Sequence, residues 1–182
     1  MEYKIGNKKL GRDTAVINMN SATDCPSEKL NLCAVCKICY AKKPEKQYPS
    51  VLPYRRRQER DFDNQSANQI NFTIKKHKKV RYLRFSESGD FKNQAAVNKM
   101  SAISDLMDKR NIKVYGYTAR KDLDFSNISA NMAVNGSGFM VSNNFYPVDK
   151  FSSSDKYRCL GDCRKCNICK TPHNINIAVE KH

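Results

Sequence analysis

Eight cysteines occur in this 182-residue chain, and all of them fall into two sets of four. The first set lies in "CPSEKLNLCAVCKICYAKK" and consists of Cys25, Cys33, Cys36 and Cys39, spaced C-x7-C-x2-C-x2-C. The second lies in "CLGDCRKCNICK" and consists of Cys159, Cys163, Cys166 and Cys169, spaced C-x3-C-x2-C-x2-C. Two-residue spacings let a short loop aim successive sulfurs into one small volume, and such a run suits the corners of a [4Fe–4S] cube. Structural zinc is the alternative, although it more often closes a tetrahedron from two separated C-x2-C knuckles. Disulfides fit less well, because neighbouring C-x2-C cysteines make poor bridges and nothing in the chain signals secretion. If both sets are complete, each cluster is ligated by thiolates alone, which suits a structural or electron-transfer role. His77 lies in a basic run and His173 just beyond the second set. Each is a candidate substitute ligand, weighed against the commoner solvated surface histidine.

The second chemical signal is charge. Lys and Arg number 33 against 18 Asp and Glu, a net charge of +15. The excess is bunched. "YRRRQER" places Arg55, Arg56, Arg57 and Arg60 together, and "KKHKKVRYLR" follows with Lys75, Lys76, Lys78, Lys79 and Arg81. Such runs favour a polyanionic partner, DNA or RNA, through phosphate contacts and counterion release. The plainer alternative is a solvated basic surface. Three successive arginines on a helix cannot all face one groove, because each residue turns about 100° from the last. Tyr54 and Tyr82 stand among these cations as candidate stacking rings or as core aromatics.

Other chemistries lack their residues. No H-x-H pair is present for a metal-dependent nickase, and no G-x-x-x-x-G-K-[ST] loop for a nucleotide phosphate. No run of about 18 apolar residues is available to span a bilayer. "MEYKIGNKKLGRD" has no apolar signal core, so the expected compartment is the reducing cytoplasm.

Elements must position these residues. "TAVINM" (Thr14–Met19) predicts a buried strand just before the first cysteine set. Tyr48 to about Ile70 predicts a helix and then a loop, with Pro53 in or near the helix's first turn. "VRYLRFS" alternates and predicts a second strand, with a turn at "ESGDF" in which Gly89 takes a positive φ and Asp90 caps the next helix. Ala96, Met100, Ile103 and Met107 recur at helical spacing, which predicts a helix from Phe91 to about Lys109. "IKVYGYT" predicts a third strand, "MAVNG" and "GFMVS" two short ones, and "INIAV" a last one. "FSSSDKY" reads as a loop. The rhythm is that of βαβ units: an α/β fold with a partial, parallel-stranded, barrel-like sheet and two cysteine-rich metal-binding segments. Residues 1–150 form the α/β domain, and residues 151–182 a cysteine-rich segment packed on it. The strand ends carrying the first cysteines, "SESGDF" and "YGYTAR" should gather on one side, the edge where such sheets place ligands.

Four of these motifs, "CPSEKLNLC…CYA", "YPSVLPYRRRQ", "RFSESGDF" and "YGYT", stand in an order that resembles the phage and plasmid gene product 88 family. The resemblance runs from about Thr14 to Thr118 and implies a protein of a mobile genetic element. In sequence that family is similar to a reduced radical-SAM enzyme, which implies a glycine-rich acidic turn for the amino group of S-adenosylmethionine. "SESGDF" sits at that place, so Glu87, Ser88, Gly89 and Asp90 are its candidate residues, with Glu87 or Asp90 meeting the ammonium. Cys25, Cys33 and Cys39 match the resemblance without Cys36, which makes Cys36 the candidate bystander if one iron is to stay open. The spacing departs from the radical-SAM C-x3-C-x2-C, a pattern that occurs here only as Cys159, Cys163 and Cys166 at the other end of the chain. Three functions follow as expectations. The first is a nucleic-acid-binding iron–sulfur protein with two [4Fe–4S] sites. The second is a minimal radical-SAM-like enzyme, and the third a zinc-stabilised interaction module.

Overall fold

The β-branched, apolar run Thr14–Ile17 forms strand β2, and every residue of it is buried. A computed structural model describes residues 1–181 and builds the rest of the sheet around this strand. The other strands are β1 (Lys4–Ile5), β3 (Tyr82–Phe85), β4 (Lys113–Thr118), β5 (Met132–Ser137), β6 (Asn143–Val148), β7 (Tyr157–Arg158) and β8 (Asn176–Glu180). Helices α1 (Pro26–Lys29), α2 (Lys42–Gln47), α3 (Val51–Asn64) and α4 (Ala67–Lys75) separate β2 from β3, and α5 (Gln94–Asp108) separates β3 from β4. The strands join in the order β1-β2-β3-β4-β5-β6-β8-β7. Only β1 runs antiparallel to its neighbour. The mixed α/β architecture with a mostly parallel sheet is therefore as the sequence predicts. The sheet is a row, and among the described residues its outer strands β1 and β7 do not pair with each other.

Alternation along the strands gives the sheet two different faces. Ala15, Ile17, Leu83, Phe85, Val114, Met132 and Val134 pack against the helices, where they meet Phe62, Ile70, Ile74, Val97, Met100, Ile103 and Met107. Each large apolar side chain so buried contributes about 1.5–3 kcal/mol. The opposite face carries Tyr82, Arg84, Tyr115, Tyr117 and Asn135, on which the second cysteine segment lies. That segment has to cross a face. β7 and β8 run parallel, and parallel neighbours need a crossover, here the chain between Arg158 and Asn176. The cysteine-rich segment thus supplies two strands to the same sheet and covers one of its faces.

Three expectations are corrected. The stretch after the first helix is a second helix, α4, because Ser66 and Gln69 form a reciprocal capping box in "SANQ". Asp90 does not cap α5. Asn93 does, accepting from the Ala96 amide at 3.1 Å, while the Asp90 side chain turns inward. "GFMVS" is no strand but the step between β5 and β6, whose registers overlap only at Asn135–Ser137. Gly138 takes φ 85° there, a conformation that favours glycine. Pro53 falls in the first turn of α3, which starts at Val51.

Candidate metal centres

The first cysteine set is held where the carboxyl ends of β2, β3 and β4 meet. Asp90, 4% exposed, ties them together. Its carboxylate accepts from the Ser27 hydroxyl at 2.5 Å, the Thr118 hydroxyl at 2.6 Å, the Ala119 amide at 2.7 Å and the Phe91 amide at 2.8 Å. Burial pushes its pKa up although these donors oppose the rise. Asn20 clamps the same turn, accepting from the Asp90 amide at 2.7 Å and donating to the Asp90 carbonyl at 3.0 Å. Gly89 stands at φ 74°, and a Cβ there would lie 2.0 Å from the Asn20 Oδ1. Asn18 receives the Ser88 amide at 2.9 Å and donates to the Gln58 side chain at 2.7 Å, joining the turn to α3. Glu87 faces Lys4 at 3.3 Å and Asn7 at 3.4 Å. The oxygens assigned to a cofactor amine thus already accept from this chain's own donors.

From this base the first set runs outward. All eight cysteines are free thiols of intermediate exposure. Burial pushes the Cys25 thiol up to about 11, against hydrogen bonds from the Glu28 and Ser27 amides. Burial also pushes up Cys36, which hydrogen bonds Cys33. Cys36–Ile38 forms a short 3-10 turn, with the Cys39 amide donating to the Cys36 carbonyl at 3.4 Å. The Lys42 amide then donates to the Cys39 carbonyl at 3.1 Å as α2 begins.

The second set lies on the sheet face away from the helices. Cys159, Cys163, Cys166 and Cys169 line one cavity with Tyr115, Tyr117, Ile168, Lys170 and Ile177. Backbone bonds pin the segment, from the Cys159 amide to Ala178 at 2.9 Å and from the Cys163 amide to Lys9 at 3.0 Å. The Asn135 side chain donates to the Cys169 carbonyl at 2.9 Å. Burial pushes the Cys169 thiol up to about 12, while a hydrogen bond from Tyr117 pulls the other way. Burial raises Cys163 as well, against the Arg84 charge nearby.

Two cations beside these sulfurs have no acid. Lys170 is 4% exposed, sits 3.8 Å over the Tyr82 ring, and donates to the Cys163 carbonyl at 2.8 Å. Arg84 lies 5.2 Å over the Tyr117 ring and reaches the Tyr40 hydroxyl at 3.4 Å, and its buried Nε has no partner. Neither forms an ion pair among the described residues. Buried unpaired charge is costly, so this face calls for negative charge, and thiolates provide it. Among the described residues no group of three or more His, Cys, Asp or Glu side chains is arranged round a point to hold a metal ion. His77 packs its ring edge on Tyr3, and His173 bonds the Thr171 hydroxyl at 2.6 Å.

The basic runs divide. Arg55 turns inward, 6% exposed, bonding Glu45 at 2.6 Å and the Ala41 carbonyl at 2.7 Å, so it does not reach a phosphate. Arg56 pairs with Asp24 at 2.8 Å and Arg57 with Glu2 at 3.4 Å, while Arg60 is exposed. Lys75, Lys76, Lys78, Lys79 and Arg81 are exposed and enter no ion pair among the described residues. Beside them Phe72, 64% exposed, carries the Lys76 ammonium over its ring, an aromatic that no motif marked. Tyr54 and Tyr82 are not free rings. The Tyr54 hydroxyl accepts from Gln58 at 3.2 Å, and Tyr82 lies between Lys170 and Tyr115.

Among the described residues no helix is long and apolar enough to cross a membrane. Compared with known proteins, the family described as Gene product 88 matches residues 1–172. Neither the curated proteins nor the solved structures give a match. With nearly its whole length matched, the chain belongs to the Gene product 88 family.

Proposed function

We propose that this Gene product 88 protein is a cytoplasmic iron–sulfur protein of a mobile genetic element that binds nucleic acid. The observation that carries the reading is the second cysteine set: four thiols round one cavity, beside buried Lys170 and half-buried Arg84, neither of which forms an ion pair among the described residues. Metal binding deprotonates thiols, so loading the site supplies the anions those cations lack. The close C-x2-C-x2-C spacing suits the corners of an iron–sulfur cube, whereas zinc more often uses separated C-x2-C knuckles. Cys159, Cys163, Cys166 and Cys169 would hold one [4Fe–4S] group. Cys25, Cys33, Cys36 and Cys39 would hold the other. Such groups supply one-electron chemistry or cross-linking, and the crossover onto the sheet favours cross-linking at the second site. Nucleic acid is the partner that the net charge of +15 suggests, and the unpaired run Lys75–Arg81 with Phe72 is a surface that fits it.

The test is an anaerobic preparation in which iron, sulfide and zinc are counted per chain and charge-transfer absorbance is recorded. Iron and sulfide near eight each per chain, about two cubes, are expected. Zinc without sulfide turns the reading into the zinc-stabilised module. Oligonucleotide binding that weakens steeply with salt is expected in the same preparation. A second reading, a minimal radical-SAM-like enzyme, is favoured by one observation: the first cysteine set follows β2, the first strand of a parallel row in nearly sequential order. It requires a spectral change of the first cluster on adding S-adenosylmethionine.

A further inference from the structure

The first cysteine set carries a surface that its motif did not announce. An open depression of about 460 Å³ is lined by Lys37, Cys39, Lys42, Lys43, Lys46 and Gln47. It contains no acid. The single carboxylate of α2, Glu45, points inward, accepting from Arg55, the Ala22 amide at 2.7 Å and the Thr23 hydroxyl at 2.8 Å. Lys42 is tied to Glu28, whereas Lys37, Lys43 and Lys46 are exposed and enter no ion pair among the described residues. Two tyrosines flank α2 along the chain. Tyr40 is 62% exposed and Tyr48 is 53% exposed. The Tyr40 hydroxyl donates to the Glu87 carbonyl at 2.7 Å and accepts from Arg84, so the ring is pinned with much of its surface in solvent.

We propose that the Lys37–Lys46 surface is a binding site for single-stranded nucleic acid whose affinity depends on metal held by Cys33, Cys36 and Cys39. Exposed aromatics beside unpaired cations match the stacking-plus-phosphate pattern of single-strand binders. A membrane surface fits poorly, because "KKPEKQ" gives α2 no apolar face to insert. The metal dependence follows from how the lysines are mounted. Lys37 lies inside the Cys36–Ile38 turn, and α2 starts from the Cys39 carbonyl. A helix of six residues is far too short to hold itself. The Arg55–Glu45 and Lys42–Glu28 pairs hold the body of α2, so what metal on the sulfurs would fix is the Cys36–Ile38 turn that carries Lys37 and the start of the helix. By linkage, nucleic acid then tightens metal binding at this set in equal measure. The inference deepens the nucleic-acid reading above and rests on it.

The experiment uses the full anaerobic holoprotein and a fluorescently labelled single-stranded oligonucleotide, read by anisotropy across a salt series. K37Q/K43Q/K46Q replaces exposed side chains only, and unchanged iron content and melting temperature verify its fold. It is expected to lower the log–log salt slope by about two, since each phosphate contact contributes about 0.7, and to raise Kd about tenfold or more. Cys39→Ser, with metal lost from the first set alone, is expected to weaken binding comparably, and Tyr40→Leu to weaken it with the slope unchanged. Wild-type affinity and slope in the triple variant overturn this site and leave the Lys75–Arg81 surface as the nucleic-acid face. Affinity indifferent to metal in the first set overturns the dependence. Binding to anionic vesicles with none to the oligonucleotide overturns the site and the nucleic-acid reading together.

Discussion

The two cysteine sets have nearly the same spacing and opposite surroundings. The second lies across a sheet face, among Tyr115, Tyr117 and Ile177, with Lys170 buried and Arg84 half-buried beside it. The first projects from strand ends, with its cations turned outward as Lys37, Lys43 and Lys46. One set therefore lies in the sheet's last crossover, and its counterpart in a surface loop. On the proposed reading, similar ligands would support different tasks, because the charge around them is largely buried in one place and solvated in the other. Arg84 links the regions, touching Tyr40 next to the first set and Tyr117 next to the second.

The most damaging change should be Cys169→Ser. Losing metal from the second set leaves Arg84 and Lys170 uncompensated, at a cost of about 3–5 kcal/mol read by chemical denaturation. Cys36→Ser should cost less, because the cations near the first set, Lys37, Lys43 and Lys46, are solvated. Equal losses would erase the contrast between the sets. Glu45→Gln comes next. It strands Arg55, whose pair with Glu45 is almost wholly buried, and should cost about 3 kcal/mol. Burial alone would raise the Glu45 pKa, but hydrogen bonds from Arg55, Ala22 and Thr23 outweigh it and hold the carboxyl below its usual range. A depressed carboxylate stabilises the fold above its unfolded pKa. This contribution is lost as pH falls below about 4, and the loss should be missing from the Glu45→Gln acid titration.

Arg84→Met sharpens the comparison through its sign. In metal-free protein it removes a half-buried cation that has no ion pair and should stabilise by about 1 kcal/mol, whereas in metal-loaded protein it removes the thiolates' counter-charge and should destabilise. Melting temperatures of both forms decide it. Asp90→Asn should cost about 1–3 kcal/mol in the first region, because an amide cannot accept from all the donors that meet there. Arg56→Gln, which removes a largely exposed pair with Asp24, should change stability by no more than about 0.5 kcal/mol.

Much of the fold was legible in local patterns. β3 and α5 carry two-fold and helical periodicity, β2 and β4 are short runs rich in β-branched or aromatic residues, and their burial follows these patterns. The start of α4 was legible too, through Ser66 and Gln69, but a polar stretch hid a signal that depends on two side chains. Asp90 misled because an acid before a helix is a common cap, and only the convergence of Ser27, Thr118 and Ala119 shows why it turns inward. The arginine run misled for the same reason. Nothing local says that Glu45, on another helix, takes Arg55 into the interior.

The sequence alone determined the cysteine sets, the excess of positive charge and the alternation of strands and helices, because each is written in residue types and short spacings. The tertiary structure decided which cations are buried, which are free, and that the second set lies on the sheet face opposite the helices. These are contacts between residues far apart in the chain, and their energies depend on burial, which no short stretch of residues specifies.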